Sequence, residues 1–195
     1  MVQLKSPREI ETMAVGGKIL AATHQRVREA VRAGVTTMDL DRVAEDFIRS
    51  HEGATPSFKG LYDFPASICA SIDEEIVHGI PSPKRVLKDG DIISVDIGVF
   101  YGGLHTDSAN TWPVGRIDEK TAKLLRVTQQ ALEAGLSAAT VGNYVGDIGY
   151  AIETVVLKGG FAVVRELVGH GVGHMMHEEP QVPNHGKPRR GMRLV

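Results

Sequence analysis

Positions Ile10, Met13, Ala14, Gly17, Leu20, Ala21, His24, Val27 and Val31 recur at three- and four-residue steps and predict one face of a helix. Ser6, Pro7 and Glu9 ahead of them form a capping box with proline at the first helical position, and Gly34 supplies the stop. A second helix is predicted from Thr37, with Asp39 and Asp41 near the positive end of its dipole. Its apolar stripe is Leu40, Val43, Ala44, Phe47 and Ile48, and it ends near Gly53. The period then drops to two. Residues 67–72 read as a strand, and 92–100 is the clearest strand in the chain, with Ile93, Val95, Ile97 and Val99 on one face and Ser94, Asp96 and Gly98 on the other. Gly102 and Gly103 signal a two-residue hairpin turn that returns the chain through Leu104 to Trp112. Helices over about 119–137 and 143–158 follow. A last apolar stretch, 161–168, reads as a strand leading into Gly169-His170-Gly171.

The order is helix, helix, strands, then helix, helix, strand. The segments Ala33-Gly34-Val35-Thr36 and Ala134-Gly135-Leu136-Ser137 occupy similar places in each half. This predicts an α+β fold of two pseudo-symmetric ααβ halves around a curved antiparallel sheet, with helices outside and a cleft at the centre. A length of 195 residues fits one domain, 1–195. Hydrophobic residues at 42% and charged residues at 24% exclude a disordered chain. A net charge of −2 leaves no basic surplus for a phosphate backbone, so DNA is not an expected partner. No apolar run is long enough to span a membrane, and the charged N-terminus has no secretory core, which predicts a cytoplasmic protein without membrane contact. Cys69 is the single cysteine; an internal disulfide and a zinc-cysteine cluster are both excluded, and eight histidines remain as ligands or proton carriers.

Asp96 and Asp107 are the first candidates for chemistry. If Gly102 and Gly103 form the turn, Asp96 faces Ala109 and lies diagonal to Asp107; if the turn is Tyr101-Gly102, the two aspartates are directly opposed. In both registers they share a face, and only an odd-length turn separates them. Such carboxylates repel unless a cation lies between them. Aspartates on an outer sheet face are ordinarily solvated, but His105 shares this face and three other histidines sit in distinctive settings. They are His78 in VHGIP, His170 in GHGVGH and His177 in MMHEEP, the first two flanked by glycine, which lets backbone and ligand approach closely.

These stretches, HGIP at 78–81, DGDIISVDIGVFYGGLHTDSANTWPVG at 89–115 and GHGVGHMMHEEP at 169–180, resemble type I methionine aminopeptidase, and the resemblance runs nearly the length of the chain. It implies the pita-bread fold and removal of N-terminal methionine from newly made proteins with a small second residue. It implies that Asp96 is a bidentate metal ligand, Asp107 a bridging ligand and His170 the histidine ligand. His78 then contacts the substrate near the scissile amide, and His177 helps polarise its carbonyl. Phe64, Cys69 and Met176 line the methionine pocket, with Leu61 at a place often aromatic. Two divalent ions are implied, and oxygen ligands with one imidazole suit Co, Mn, Fe or Zn.

The resemblance also implies two glutamate ligands beyond His177. The sequence reaches Val195 before them, and Glu178 and Glu179 belong to the HEEP stretch and do not replace them. Two ions would be under-compensated by Asp96, Asp107 and a neutral His170, so one ion or weakly bound metal, and little or no peptidase activity, are expected of the 195 residues alone. Two other readings compete. An Xaa-Pro aminopeptidase or prolidase-like enzyme shares the aspartates but usually carries an N-terminal domain, for which Met1 to Leu4 leaves no room; a non-catalytic peptide-binding relative has no need of all five site residues. Lys187, Arg189, Arg190 and Arg193 read first as a solvated loop and second as a transient ribosome contact. A monomer acting on nascent peptide N-termini is expected.

Overall fold

The computed structural model describes residues 2–195. Its contacts fall into two compact units, Leu4–Ile117 with Val172–Met176, and Asp118–Gly171 with His177–Val195.

The first unit holds two helices and a four-stranded sheet. Helix α1, Pro7–Ala30, starts with the expected capping box, Glu9 N–H donating to Ser6 Oγ and Ser6 N–H to Glu9. Helix α2, Thr37–Arg49, has the same device built from Thr36 and Asp39. The strands are β1 (Ala54–Pro56), β2 (Ile68–Ile72), β3 (Ile92–Tyr101) and β4 (Leu104–Pro113). Strand β3 is central: β4 pairs along the whole of one edge, and β2 and β1 share the other, all antiparallel. Three-residue β1, broken by Pro56, is too short to show a period and was not expected from the pattern.

The alternation in β3 sets the layers. Ile93, Val95, Ile97 and Val99 are fully buried with Ile68 and Ala70 of β2, against Leu20 and Val27 of α1 and Leu40, Ala44 and Ile48 of α2. Each such aliphatic side chain contributes about 1.5–3 kcal/mol on burial, so a one-residue slip, which would invert the set, is strongly disfavoured.

Helix α1 differs from expectation in rotation. Its buried residues are Gly16, Ile19, Leu20, Thr23, His24 and Val27, while Ile10, Ala14 and Ala21 face solvent. The sheet decides this. A Cβ on Gly16 would stand 3.4 Å from Thr106, and His24 Nε2 bonds Ser108 at 3.0 Å while its ring meets Trp112 edge-on at 5.7 Å. Asp41, expected as a first-turn dipole partner, is instead buried. Its Oδ1 accepts the N–H groups of Ser67 and Ile68 at 2.8 and 3.0 Å, which anchors the start of β2.

The second unit holds α3 (Glu119–Ala138), α4 (Val145–Lys158), β5 (Val168–Gly171) and β6 (Glu178–Pro183). The strand expected over 161–168 lies further on. Gly160, at φ +83°, turns the chain out of α4, the ladder spans only Val168–Gly171, and 161–167 is loop tied to α4 by the Arg165–Glu153 ion pair. Strand β6 was not expected because Pro180 and Pro183 lack the N–H that a ladder uses. The strands therefore form a four-stranded and a two-stranded antiparallel sheet, the strand ladders being continuous only within each.

The basic residues Lys187, Arg189, Arg190 and Arg193 are expected to lie on a solvated loop. Its side chains are exposed, but its backbone is anchored at the start of α4. Val145 N–H donates to Met192 O and Gly146 N–H to Arg190 O, both at 2.9 Å, and Arg189 N–H donates to Asp147 Oδ1. These acceptors satisfy amides that a helix N-terminus otherwise leaves to water. A side chain on Gly146 would block this approach, its Cβ lying 2.5 Å from Lys187 O. Among the described residues no helix is long and apolar enough to cross a membrane.

Candidate active site

The hairpin adopts the Gly102-Gly103 turn, with Asp96 opposite Ala109 and Gly98 opposite Asp107. Asp96 and Asp107 are thus diagonal on the face turned away from the α1–α2 core. Two carboxyl groups so placed repel when both are charged, and a side-chain hydrogen bond between them favours the protonated form of Asp96. Burial, the facing Asp107 charge and that hydrogen bond together push the Asp96 carboxyl up to about 8, against the smaller opposing effect of the Ile97 N–H.

Cys69 is the cross-strand partner of Asp96, so β2 carries its thiol to the same face. Burial, then the charges of Asp96, Asp107 and Asp41, push that thiol up to about 12. It is a neutral, apolar wall group at physiological pH. Cys69, Phe58 and Met176 form a buried cluster with Leu61, Phe64 and Val172 packed against it. Phe64, Cys69 and Met176, expected above to line a pocket, therefore lie in one apolar cluster. Phe58 and Val172 join them and were missed. The available signal was Gly98, a glycine inside a strand on the polar face. A Cβ there would lie 2.7 Å from both Phe58 Cε1 and Ser57 Cβ, so its absence admits the Phe58 ring.

Met176 belongs to a segment fastened to the β4 edge. His105 N–H donates to Gly173 O at 2.7 Å, and His174 Nε2 meets Glu9 Oε1 at 2.9 Å. His105 does share the aspartate face, but its Nδ1 engages Ser57 Oγ at 2.9 Å and its ring lies 4.6 Å from that of Phe100, a packing role.

His78 is exposed, on the loop beyond β2, with a left-handed backbone at φ +61°. The neighbouring Gly79 lies against β2: its carbonyl accepts Ala70 N–H at 2.8 Å, and a Cβ would stand 2.3 Å from Ala70 O. His170 and His177 belong to the second unit, with ring centroids 4.4 Å apart. His170 Nδ1 lies 2.8 Å from Gly171 O. A carbonyl only accepts, so Nδ1–H is the donor in this bond, which is the orienting contact commonly made by a ligating imidazole. The β5–β6 register shifts between His170 and Gly171, a bulge of the kind that re-aims a side chain.

The donor chemistry of the first unit fits a divalent cation. A half-buried carboxyl pair whose charges repel is the arrangement a cation relieves. Among the described residues no group of three or more His, Cys, Asp or Glu side chains is arranged to hold a metal, so the aspartates stand as a pair, with His170 in the other unit.

The chain matches metallopeptidase family M24 over residues 11–195. It belongs to this family. Within it, the chain is 50% identical over 195 residues to a methionine aminopeptidase of Clostridium acetobutylicum, covering 100% of this chain and 78% of that one. It is 50% identical over 194 residues to methionine aminopeptidase 1 of Bacillus subtilis, covering 100% and 77%. The crystal structure of methionine aminopeptidase from Thermotoga maritima superposes with a TM-score of 0.97 at 40% identity, covering 100% of this chain and 78% of that one. The M24 fold is the pita-bread architecture expected from the resemblance. An Xaa-Pro dipeptidase from Bacillus anthracis shares that fold, with a TM-score of 0.82, at only 22% identity. The family is one of metallopeptidases, which agrees with the chemistry of the Asp96–Asp107 pair.

Proposed function

We propose that this M24 chain is a methionyl aminopeptidase, a hydrolase that removes the N-terminal methionine from newly made proteins whose second residue is small. One observation carries the reading: Cys69, in the wall of the Phe58–Cys69–Met176 cluster, is the cross-strand partner of Asp96. A pocket lined by thiol, thioether and aromatic groups suits a flexible, polarisable methionine side chain. Its place on the sheet, with Cys69 opposite Asp96, supports binding of a peptide's first residue beside the acidic pair.

Asp96 and Asp107 would hold a divalent ion with His170 as the imidazole ligand; Co, Mn, Fe and Zn all suit that donor set, and two ions fit the family. Such an ion, when bound, supplies Lewis-acid polarisation and a more acidic water. The residues of the chain do the rest. Asp96 gives up its proton as the site fills, and Phe64, Cys69 and Met176 exclude water around the methionine side chain. His78 donates a hydrogen bond near the scissile amide, and His177 helps to polarise the carbonyl. Residues 1–195 act here as one catalytic domain, in the cytoplasm and as a monomer, on peptide N-termini.

Peptide cleavage tests this. With Mn²⁺ or Co²⁺, the chain extended to include the family's two glutamate ligands should release free methionine from Met-Ala-Ser and leave an Ala-Pro peptide intact, and Asp107→Asn in that chain should abolish release. Preferential cleavage of the proline peptide would replace this reading with the prolidase-like one.

A further inference from the structure

His78 has a conformation that its own sequence does not favour. A non-glycine residue at φ +61° persists only where its surroundings over-determine it. It is also exposed, so packing around its own side chain does not supply the constraint.

Arg85 bonds the chain on both sides of His78. Its Nη1 donates to Ala70 O at 3.1 Å and to Ile80 O at 3.2 Å, and its Nη2 pairs with the Glu75 carboxylate. Glu75 and Ile80 stand on either side of His78 in the chain, and Ala70 is the β2 residue next to Cys69. One guanidinium therefore joins both arms of the His78 loop to the strand that forms the pocket wall. Each attachment point is itself fixed. Glu75 Oε2 accepts Ile72 N–H at 2.8 Å, Gly79 N–H donates to Ser71 Oγ at 3.1 Å, and Ala70 N–H donates to Gly79 O at 2.8 Å. The base of the clamp is held by α2, where Thr37 N–H donates to Arg85 O at 2.9 Å and Thr37 Oγ1 accepts Ser82 N–H at 2.9 Å.

We propose that Arg85 is a positioning residue for His78, a planar fork that holds the His78 loop in its left-handed turn against β2. The inference rests on the role given to His78 above and deepens it. Arginine is required for its geometry. Two carbonyls and a carboxylate lie around one delocalised cation, and a lysine ammonium supplies the charge without the rigid fork.

The test reads His78 itself, independently of catalysis. In ¹⁵N-histidine spectra, with the His78 signals identified from a His78→Gln variant, Arg85→Ala should shift or broaden His78 and leave the remaining histidines in place. Amide exchange at Ala70 and Gly79 should accelerate about tenfold or more, as for loss of charge-assisted hydrogen bonds. Arg85→Lys, which keeps the charge and most of the stem, should give a smaller change in the same signals, and it carries the test if Arg85→Ala fails to fold. His78 signals and exchange rates in both variants that superpose on those of the unaltered protein would overturn the proposal. Methionine release by His78→Ala in the chain extended to include the two glutamate ligands separates the two claims, because unchanged release overturns the role of His78 while the spectra still decide the clamp.

Discussion

The Asp96–Asp107 pair makes the unmetallated protein less stable as pH rises. Replacing Asp96 with asparagine isolates the effect. An aspartate in the unfolded chain titrates near its ordinary value of 3.8, whereas folded Asp96 is pushed up to about 8 by burial and by Asp107. Below about pH 4 both states hold the proton and the site contributes no pH dependence. Between those values the folded state keeps a proton that the unfolded state has released, so stability falls with rising pH, and above about 8 the penalty is complete. The steepest slope for one proton is about 1.4 kcal/mol per pH unit, so from pH 5 to 7 the loss is on the order of 2–3 kcal/mol. The proton belongs to the pair, so the slope reports both carboxyls. In Asp96→Asn the amide N–H takes the place of the acid O–H toward Asp107, and it does not titrate. Urea unfolding with chelator at pH 5, 6, 7 and 8 should show the variant gaining on the unaltered protein at each step and exceeding it at pH 8. Added Mn²⁺ at pH 7 should then stabilise the unaltered protein and not the variant. Parallel curves for the two proteins, or a variant less stable at pH 8, would refute the account of the pair.

Other expectations follow from single contacts. Gly98→Ala drives a methyl to 2.7 Å from Phe58 Cε1 and should cost about 1–3 kcal/mol in urea unfolding, with weaker binding of methionyl peptides as Phe58 moves. Asp41→Ala strips two N–H groups at the start of β2 of their acceptor and should destabilise by about 2–4 kcal/mol, read from the same unfolding midpoints. With its thiol pushed up to about 12, folded Cys69 should resist a thiol-disulfide reagent at pH 8 and react at once in denaturant. Labelling in the folded protein at the rate of a free thiol would contradict its burial beside the carboxylates.

Local patterns were strong wherever one short stretch contained its own partner. The capping boxes at Ser6 and Thr36 each close within three residues, and α3 and α4 begin and end within a few residues of their patterned limits. The β3–β4 hairpin belongs to this class. Its turn glycines and strict alternation were enough to put Asp96 and Asp107 on one face, because both permitted registers preserve side-chain parity.

The choice between those registers was not local, and neither was the rotation of α1. Two overlapping stripes run along that helix, and the sheet selected the one bringing Gly16 and His24 onto β4. The same holds for Asp41, Phe58 and Arg85, whose partners lie between 5 and 40 residues away: Asp41 meets Ser67 and Ile68, Phe58 fills the space left by Gly98, and Arg85 reaches Ile80, Glu75 and Ala70. Residue type reveals which groups can donate, accept or fill space, and periodicity assigns them to a face. Which distant group meets them depends on how the helices and strands pack, and that was set by burial of the β3 apolar face against α1 and α2.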